Sequence, residues 1–188
     1  MPSERHEAVT AATLRWVEGF VIALNICPFA KPVFPNLEVR VFEGEELEVL
    51  ATRLEQELRR FANADPETLP TSILVTPDAL EDFLDYNDFL EIADAMLRQN
   101  DLDGLVQIAS FHPLYRFGGV ALDDPSHYSN RSPYPMFHFL REDHVEQAIE
   151  QHPDTLAIPD NNIARLQELG LKQVRALRDT CVLERTDV

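Results

Sequence analysis

The sequence predicts an α/β fold, a small mainly parallel or mixed four-stranded sheet flanked by helices, with one long loop between the third and fourth strands. Two observations carry this. Short apolar runs such as Ser72-Ile73-Leu74-Val75 and Leu105-Val106-Gln107-Ile108-Ala109-Ser110-Phe111 alternate with longer segments whose apolar residues recur three and four positions apart. Proline, glycine and acidic residues punctuate the joints between them. Strands that alternate with helices imply parallel pairing for the first three strands, while the direction of the fourth is left open by the long loop before it. A length of 188 residues suits one core, and neither an internal repeat nor a linker divides it, so a single domain over residues 1–188 is expected.

The first helix carries Val9, Thr13, Trp16, Val17, Phe20, Val21 and Leu24 on one stripe and stops near Asn25, before Pro28. Pro28, Pro32 and Pro35 then predict an extended, non-helical connector. Leu37 to Phe42 alternates as a strand. Gly44 and the acids around it open a second helix with the stripe Leu47, Leu50, Leu54, Leu58 and Phe61. After Ser72–Val75, Thr76 with Pro77 reads as another helix start, and Leu80, Phe83, Leu84, Leu90, Ala93 and Leu97 continue the period; Asp85-Tyr86-Asn87-Asp88 is a point where that helix can break in two.

The third strand ends at His112-Pro113. The segment from there to about Pro135 exceeds the ~12–15 residues at which structureless loops become uncommon, and its aromatics Tyr115, Phe117, Tyr128 and Tyr134 argue for an ordered lid or binding loop. Met136 to Arg141 is the fourth strand, with Met136, His138 and Leu140 on one face and Phe137, Phe139 and Arg141 on the other. Asp143 and Glu146 resemble a capping box for the next helix. Asp160 opens a further helix that Gly170 ends, and Val174, Leu177 and Cys181 belong to a last short one.

Lys and Arg number 16 against 33 Asp and Glu, a formal net charge of −17. Such a field repels phosphate backbones and anionic bilayers, so neither nucleic acid nor a membrane is an expected partner. All but Lys31 and Lys172 of the cations are Arg, whose planar fork suits bidentate capture of carboxylate or phosphate. Cys27 and Cys181 form no disulfide framework or Cys-x-x-Cys motif, and no run approaches the ~18 apolar residues of a membrane span. The expectation is a cytoplasmic protein.

Chemistry concentrates at the predicted strand ends. His112 has the residue type for proton transfer near neutral pH, against the alternative of a strand-end histidine that satisfies backbone groups. Arg131 suits anion capture or, equally, pinning the loop through carbonyls. Cys27 is the candidate nucleophile, although a thiol after a helix C-terminus is disfavoured as thiolate unless a cation or His112 approaches. His138 reads as a core histidine, His127 as surface, and Cys181 as a core thiol. No metal-ligand spacing and no Gly-rich phosphate loop is present, so no metal is assigned and the cofactor is unknown.

Asn25-x-Cys27-Pro28-Phe29-Ala30, Phe111-His112-Pro113-x-Tyr115-x-Phe117, Asn130-Arg131-Ser132-Pro133-Tyr134-Pro135 and His138-x-Leu140-Arg141-Glu142 together resemble an uncharacterised bacterial domain-of-unknown-function family, number 1415, over essentially the whole chain. The resemblance groups these residues and implies no reaction. Two readings follow. In the first, an enzyme acts on a small anionic metabolite: His112, Cys27 and Tyr115 do the chemistry, and Arg131, Asn130, Ser132, Tyr134 and Arg141 bind the substrate. In the second, the chain is a non-catalytic binding or interaction module whose proline-rich loop meets a partner.

Overall fold

The computed structural model describes residues 3–152 and 154–182. Helix α1 (Glu4–Trp16) starts where the Ser3 side chain accepts a hydrogen bond from the His6 amide, with Glu4 and Glu7 on its positive end. It continues as a π-helical segment, Val17–Ile22, in which amides reach back five residues, Ala23 to Glu18 and Ile26 to Val21. Asn25, at φ 55°, ends it.

The proline-rich connector is helical, not extended. Its residues form a short helix α2 (Ala30–Val33) and a 3-10 turn, Phe34–Asn36. The reason is positional. The first amides of a helix have no partner within it, so Pro32 and Pro35 remove donors that are free in any case, and their fixed φ suits the first turn.

The sheet holds β1 (Leu37–Val41), β2 (Thr71–Val75), β3 (Val106–Phe111) and β4 (Met136–Arg141) in the order β1-β2-β4-β3. β1 and β2 pair in parallel, and β4 is antiparallel to both β2 and β3. The first three strands therefore do point the same way, but β3 pairs with β4 and not with β2. The long loop returns the chain to the sheet at the end where β3 stops, so β4 must run back, and the central slot buries Phe137 and Phe139 completely.

Alternation along the strands divides the core in two. Leu74, Phe137 and Phe139 face helices α3 (Leu47–Asn63) and α4 (Phe83–Gln99), where Leu50, Leu54, Leu58, Phe61 and Tyr86 are fully buried. Ile73, Val75 and Met136 face Trp16 and Phe20 of the first helical arm, Leu166 of α6 (Ile158–Leu169) and Val174 of α7 (Leu171–Thr180). On the α3 side, Arg40, Arg53 and Arg60 converge on the buried Glu57 carboxylate. Burial alone would raise that carboxyl; the Arg60 hydrogen bond and the three positive charges outweigh it and hold it below the usual range.

Three local expectations are corrected. Thr76-Pro77 does not open a helix: the Thr76 amide bonds Pro135 O at 2.9 Å, extending the β2–β4 pairing, and α4 starts at Asp82, which caps Leu84 N at 2.7 Å. α4 runs unbroken through Asp85–Asp88 because Phe83, Tyr86 and Phe89 bury on one face there. Helix α5 (Glu142–Gln151) follows β4 directly, with Arg141 at the N-cap position, so Asp143 lies inside the helix and forms no capping box.

Among the described residues no helix is long and apolar enough to cross a membrane. Arg141 lies where β4 ends, 8% exposed, and donates to Leu69 O, Phe61 O and Ala64 O at 3.2, 2.9 and 3.0 Å, with its guanidinium 4.5 Å from the Phe61 ring centroid. It ties the C-terminus of α3 to the sheet, where a cation also complements the helix dipole. Arg141→Leu strands three carbonyls and is expected to destabilise the protein by about 2–4 kcal/mol in urea titration, with no change in the slope of the transition.

Candidate functional site

The carboxyl ends of β1, β2 and β3 and the start of β4 share one end of the sheet. His112, the segment after β2 and Asn130–Pro135 all meet there. β3 stops at His112 because Pro113 follows, and the His112 ring is wholly buried beside Phe83 and Tyr86, at centroid distances of 5.5 and 5.1 Å. Its Nδ1 accepts the Leu114 amide at 3.0 Å, and Nε2 lies 2.9 Å from Leu80 O. A carbonyl can only accept, so Nε2 carries the proton and Nδ1 supplies a lone pair. Burial pushes the pKa of His112 down, against the Leu80 carbonyl and the nearby Asp82. A neutral ring with both nitrogens held by backbone offers no free position to a ligand proton.

His127 repeats the pattern and is buried, not on the surface. Its Nδ1 accepts the Phe117 amide at 3.1 Å, its Nε2 donates to Ala121 O at 2.8 Å, and its ring stacks on Phe117. Asn130 links the two histidines: its carbonyl accepts the His112 amide at 3.1 Å, its amide donates to His127 O at 3.1 Å, and its side chain donates to Ser110 O at 3.0 Å. Arg131 Nε donates to Tyr115 O at 3.0 Å, while the Tyr115 ring packs between Phe83 and Phe117. Ser132 is fully buried and donates to Tyr134 O at 2.6 Å. His112, Tyr115, Asn130 and Arg131 thus form one hydrogen-bonded unit, and the Ser132–Tyr134 bond continues it along the chain.

Beside that unit lies a cluster of cations. The Tyr128 ring, 2% exposed, has the Arg131 guanidinium 5.0 Å and the Arg178 guanidinium 5.7 Å from its centroid, and its hydroxyl accepts Arg175 Nε at 3.3 Å. Arg178 Nη1 also bonds Ser132 O at 3.1 Å, and Arg15 Nε bonds Cys181 O at 3.1 Å. Burial pushes the Tyr134 phenol up against the opposing pull of Arg15 and Arg5. A shallow open depression of about 440 Å³ over α7 is lined by Leu171, Lys172, Arg175, Ala176 and Asp179. Arg15, Arg175 and Arg178 are not among the site residues expected from sequence, and Tyr128 is expected there only as an aromatic that orders the loop. The readable signal was the placement of Arg175 and Arg178 three apart, after Lys172, on the last helix.

Two predicted site residues stand elsewhere. Arg141 is at the opposite end of the sheet, with the carbonyls described above. Cys27 follows the π-helical segment, while the start of α1 sits at the site end, where Arg5 pairs with Asp78. Burial raises the Cys27 pKa against the amides of Phe29 and Ala30, and no cation contributes. No Cys27–His112 pair is assembled. His138 is a core group: Thr71 Oγ1 donates to Phe139 O at 3.0 Å, so it accepts from His138 Nε2 at 2.6 Å, and desolvation takes the imidazole down to about 4. Among the described residues no group of three or more His, Cys, Asp or Glu could hold a metal ion.

A family model described as protein of unknown function, DUF1415, matches residues 8–176. No curated protein and no solved structure matches the chain significantly.

The thiol geometry gives a direct expectation. In alkylation of the native protein, the Cys27 rate is expected to keep rising beyond the free-thiol value of about 8.5 and to stay low at pH 7. A midpoint below that value contradicts the raised pKa and requires a cation near the sulfur.

Proposed function

The chain belongs to the protein-of-unknown-function family DUF1415, and from its own side chains we propose that it binds a small anionic ligand on the face where Arg15, Arg131, Arg175 and Arg178 gather around Tyr128 and Tyr134. One observation carries the reading. In a chain of net charge −17, Arg40, Arg53 and Arg60 have found Glu57 and Arg178 pairs with Asp179 at 2.7 Å, yet Arg15, Arg131 and Arg175 make no ion pair among the described residues and contact carbonyls or Tyr128 instead. Three guanidinium groups without a paired carboxylate among the described residues suit an anion brought from outside. The remaining negative field disfavours long polyanions such as nucleic acid and charged bilayers, and leaves small anions as the fitting class.

The neutral, doubly bonded His112 has a positioning role in this reading, as do Tyr115, Asn130 and Ser132, which hold the segment that displays Arg131. Two free cysteines fit a reducing, cytoplasmic setting. A second reading, docking of a protein partner, draws on Leu114, Val120 and Leu122, which are exposed on the same loop. Leu122→Asp is expected to abolish such docking and to leave anion binding intact.

Calorimetric titration with inorganic phosphate, sulfate and citrate is expected to give saturable binding to at least one of them. Arg175→Gln is expected to weaken it about tenfold or more, the worth of one charge-assisted hydrogen bond. No saturable heat at millimolar anion, or equal affinity in the variant, overturns the proposal.

A further inference from the structure

Two buried imidazoles hold one loop by the same device. In each, Nδ1 must be a bare lone pair: at His112 it takes the Leu114 amide at 3.0 Å, and at His127 it takes the Phe117 amide at 3.1 Å. In each, Nε2–H is spent on a carbonyl, Leu80 O at 2.9 Å and Ala121 O at 2.8 Å. Asn130 bridges the two through His112 N and His127 O. The chain between them, from Leu114 to Asp123, forms no helix or strand, and most of its outer residues are exposed. Its order therefore rests on a small number of hydrogen bonds, and two of those exist only while the rings are neutral.

We propose that His112 and His127 form a proton-operated clamp, which holds the β3–β4 loop closed when both rings are neutral and releases residues 113–124 when either takes a second proton. The physical step is simple. A proton on Nδ1 turns the acceptor into a donor, so two N–H groups face each other across about 3 Å and one hydrogen bond becomes a repulsion. Because Arg131 Nε is bonded to Tyr115 O inside the released segment, opening also frees the Arg131 side chain.

At His112 the surrounding charges do not cancel this. Around His112 stand Asp82 and the Glu81 backbone from the segment before α4, the Tyr86 ring of α4, and the Tyr115 amide, which donates to His112 O, with Arg116 over the neighbouring Phe83 ring. Asp82 favours the charged ring, but loss of water around it is the larger effect and moves the pKa down. Facing His127 is Asp124, already committed to Ser126 N and to Gln167 of α6, while Arg175 and Arg178 of α7 stand at the adjoining Tyr128. The sign for His112 follows from its lowered value. The open or unfolded chain takes a proton near the ordinary value of about 6.5 while the closed loop resists, so the clamp is at full strength above that pH and weakens as pH falls below it. His138, whose pKa is also lowered, lies in β4, so its protonation loosens the sheet and not the loop.

Hydrogen exchange separates the two. Measured at pH 7.5 and pH 5.0 with correction for intrinsic exchange, residues 113–124 are expected to lose about tenfold in protection at the lower pH while β2 and β4 keep theirs. His127→Gln, which keeps a donor and an acceptor but cannot gain a proton, is expected to reduce that pH dependence. The midpoint of loop opening in the unaltered chain is expected to match the titration of His112 or His127 followed by the shifts of their carbon-bound protons. Unchanged corrected protection, simultaneous loss in loop and sheet, or an opening midpoint unrelated to either imidazole overturns the proposal. None of these readouts needs an added anion, so the clamp and the anion-binding reading fail separately.

Discussion

A buried backbone without a ladder sets the terms for this end of the molecule. Between β3 and β4 the chain covers the sheet end in irregular conformation apart from one 3-10 turn, Pro125–Ser129, and its Ser126–Tyr128 and Ser132 portions are buried. Peptide groups there have no neighbouring strand, and leaving them unpaired away from water is costly. Side chains complete the bonding: His112 and His127 each serve one amide and one carbonyl, Asn130 serves Ser110 O, and Arg131 serves Tyr115 O. The density of histidine, asparagine, arginine and serine in this stretch is thereby largely accounted for by bond satisfaction, before any ligand is considered.

That solution has an electrostatic consequence. Arg131 is fixed by Nε, which leaves the outer edge of its guanidinium directed away from the bond, and Tyr128 collects Arg131, Arg175 and Arg178 around one ring. At the other face of the sheet the same residue type is neutralised by Glu57, and at its far end Arg141 is absorbed by helix carbonyls. The contrast is one of wiring within a single charge-rich chain. Arginines of α3 and β1 are structural ion pairs, whereas near Tyr128 only Arg178 has a carboxylate partner, Asp179, and Arg131 and Arg175 have aromatic and carbonyl neighbours.

Much of the fold was legible because its signals are local. The four strands fall within a residue or two of the apolar runs that predicted them, and of the predicted stripe Leu50, Leu54, Leu58 and Phe61 are fully buried, while Leu47 at the helix start is exposed. Pairing was not legible: β4 sits between β2 and β3 through contacts distant in sequence, and nothing in residues 136–141 names its neighbours. The turn structure around Pro32 and Pro35 was misread because proline was treated as a helix breaker and not as a first-turn residue. At the site, grouping His112 with Asn130–Tyr134 was readable from their density. The burial of His127 was not, since Asp123, Asp124 and Ser126 around it look solvated, and only the return of the chain onto Ala121 and Phe117 explains it.

The tautomers of the two loop histidines test this account most directly. Long-range nitrogen–proton correlation spectra of the imidazoles at pH 7.5 are predicted to show His112 and His127 both neutral, with the proton on Nε2 and Nδ1 bare. Either ring found charged, or carrying its proton on Nδ1 at that pH, would contradict the claim that these side chains exist to satisfy the backbone of the loop.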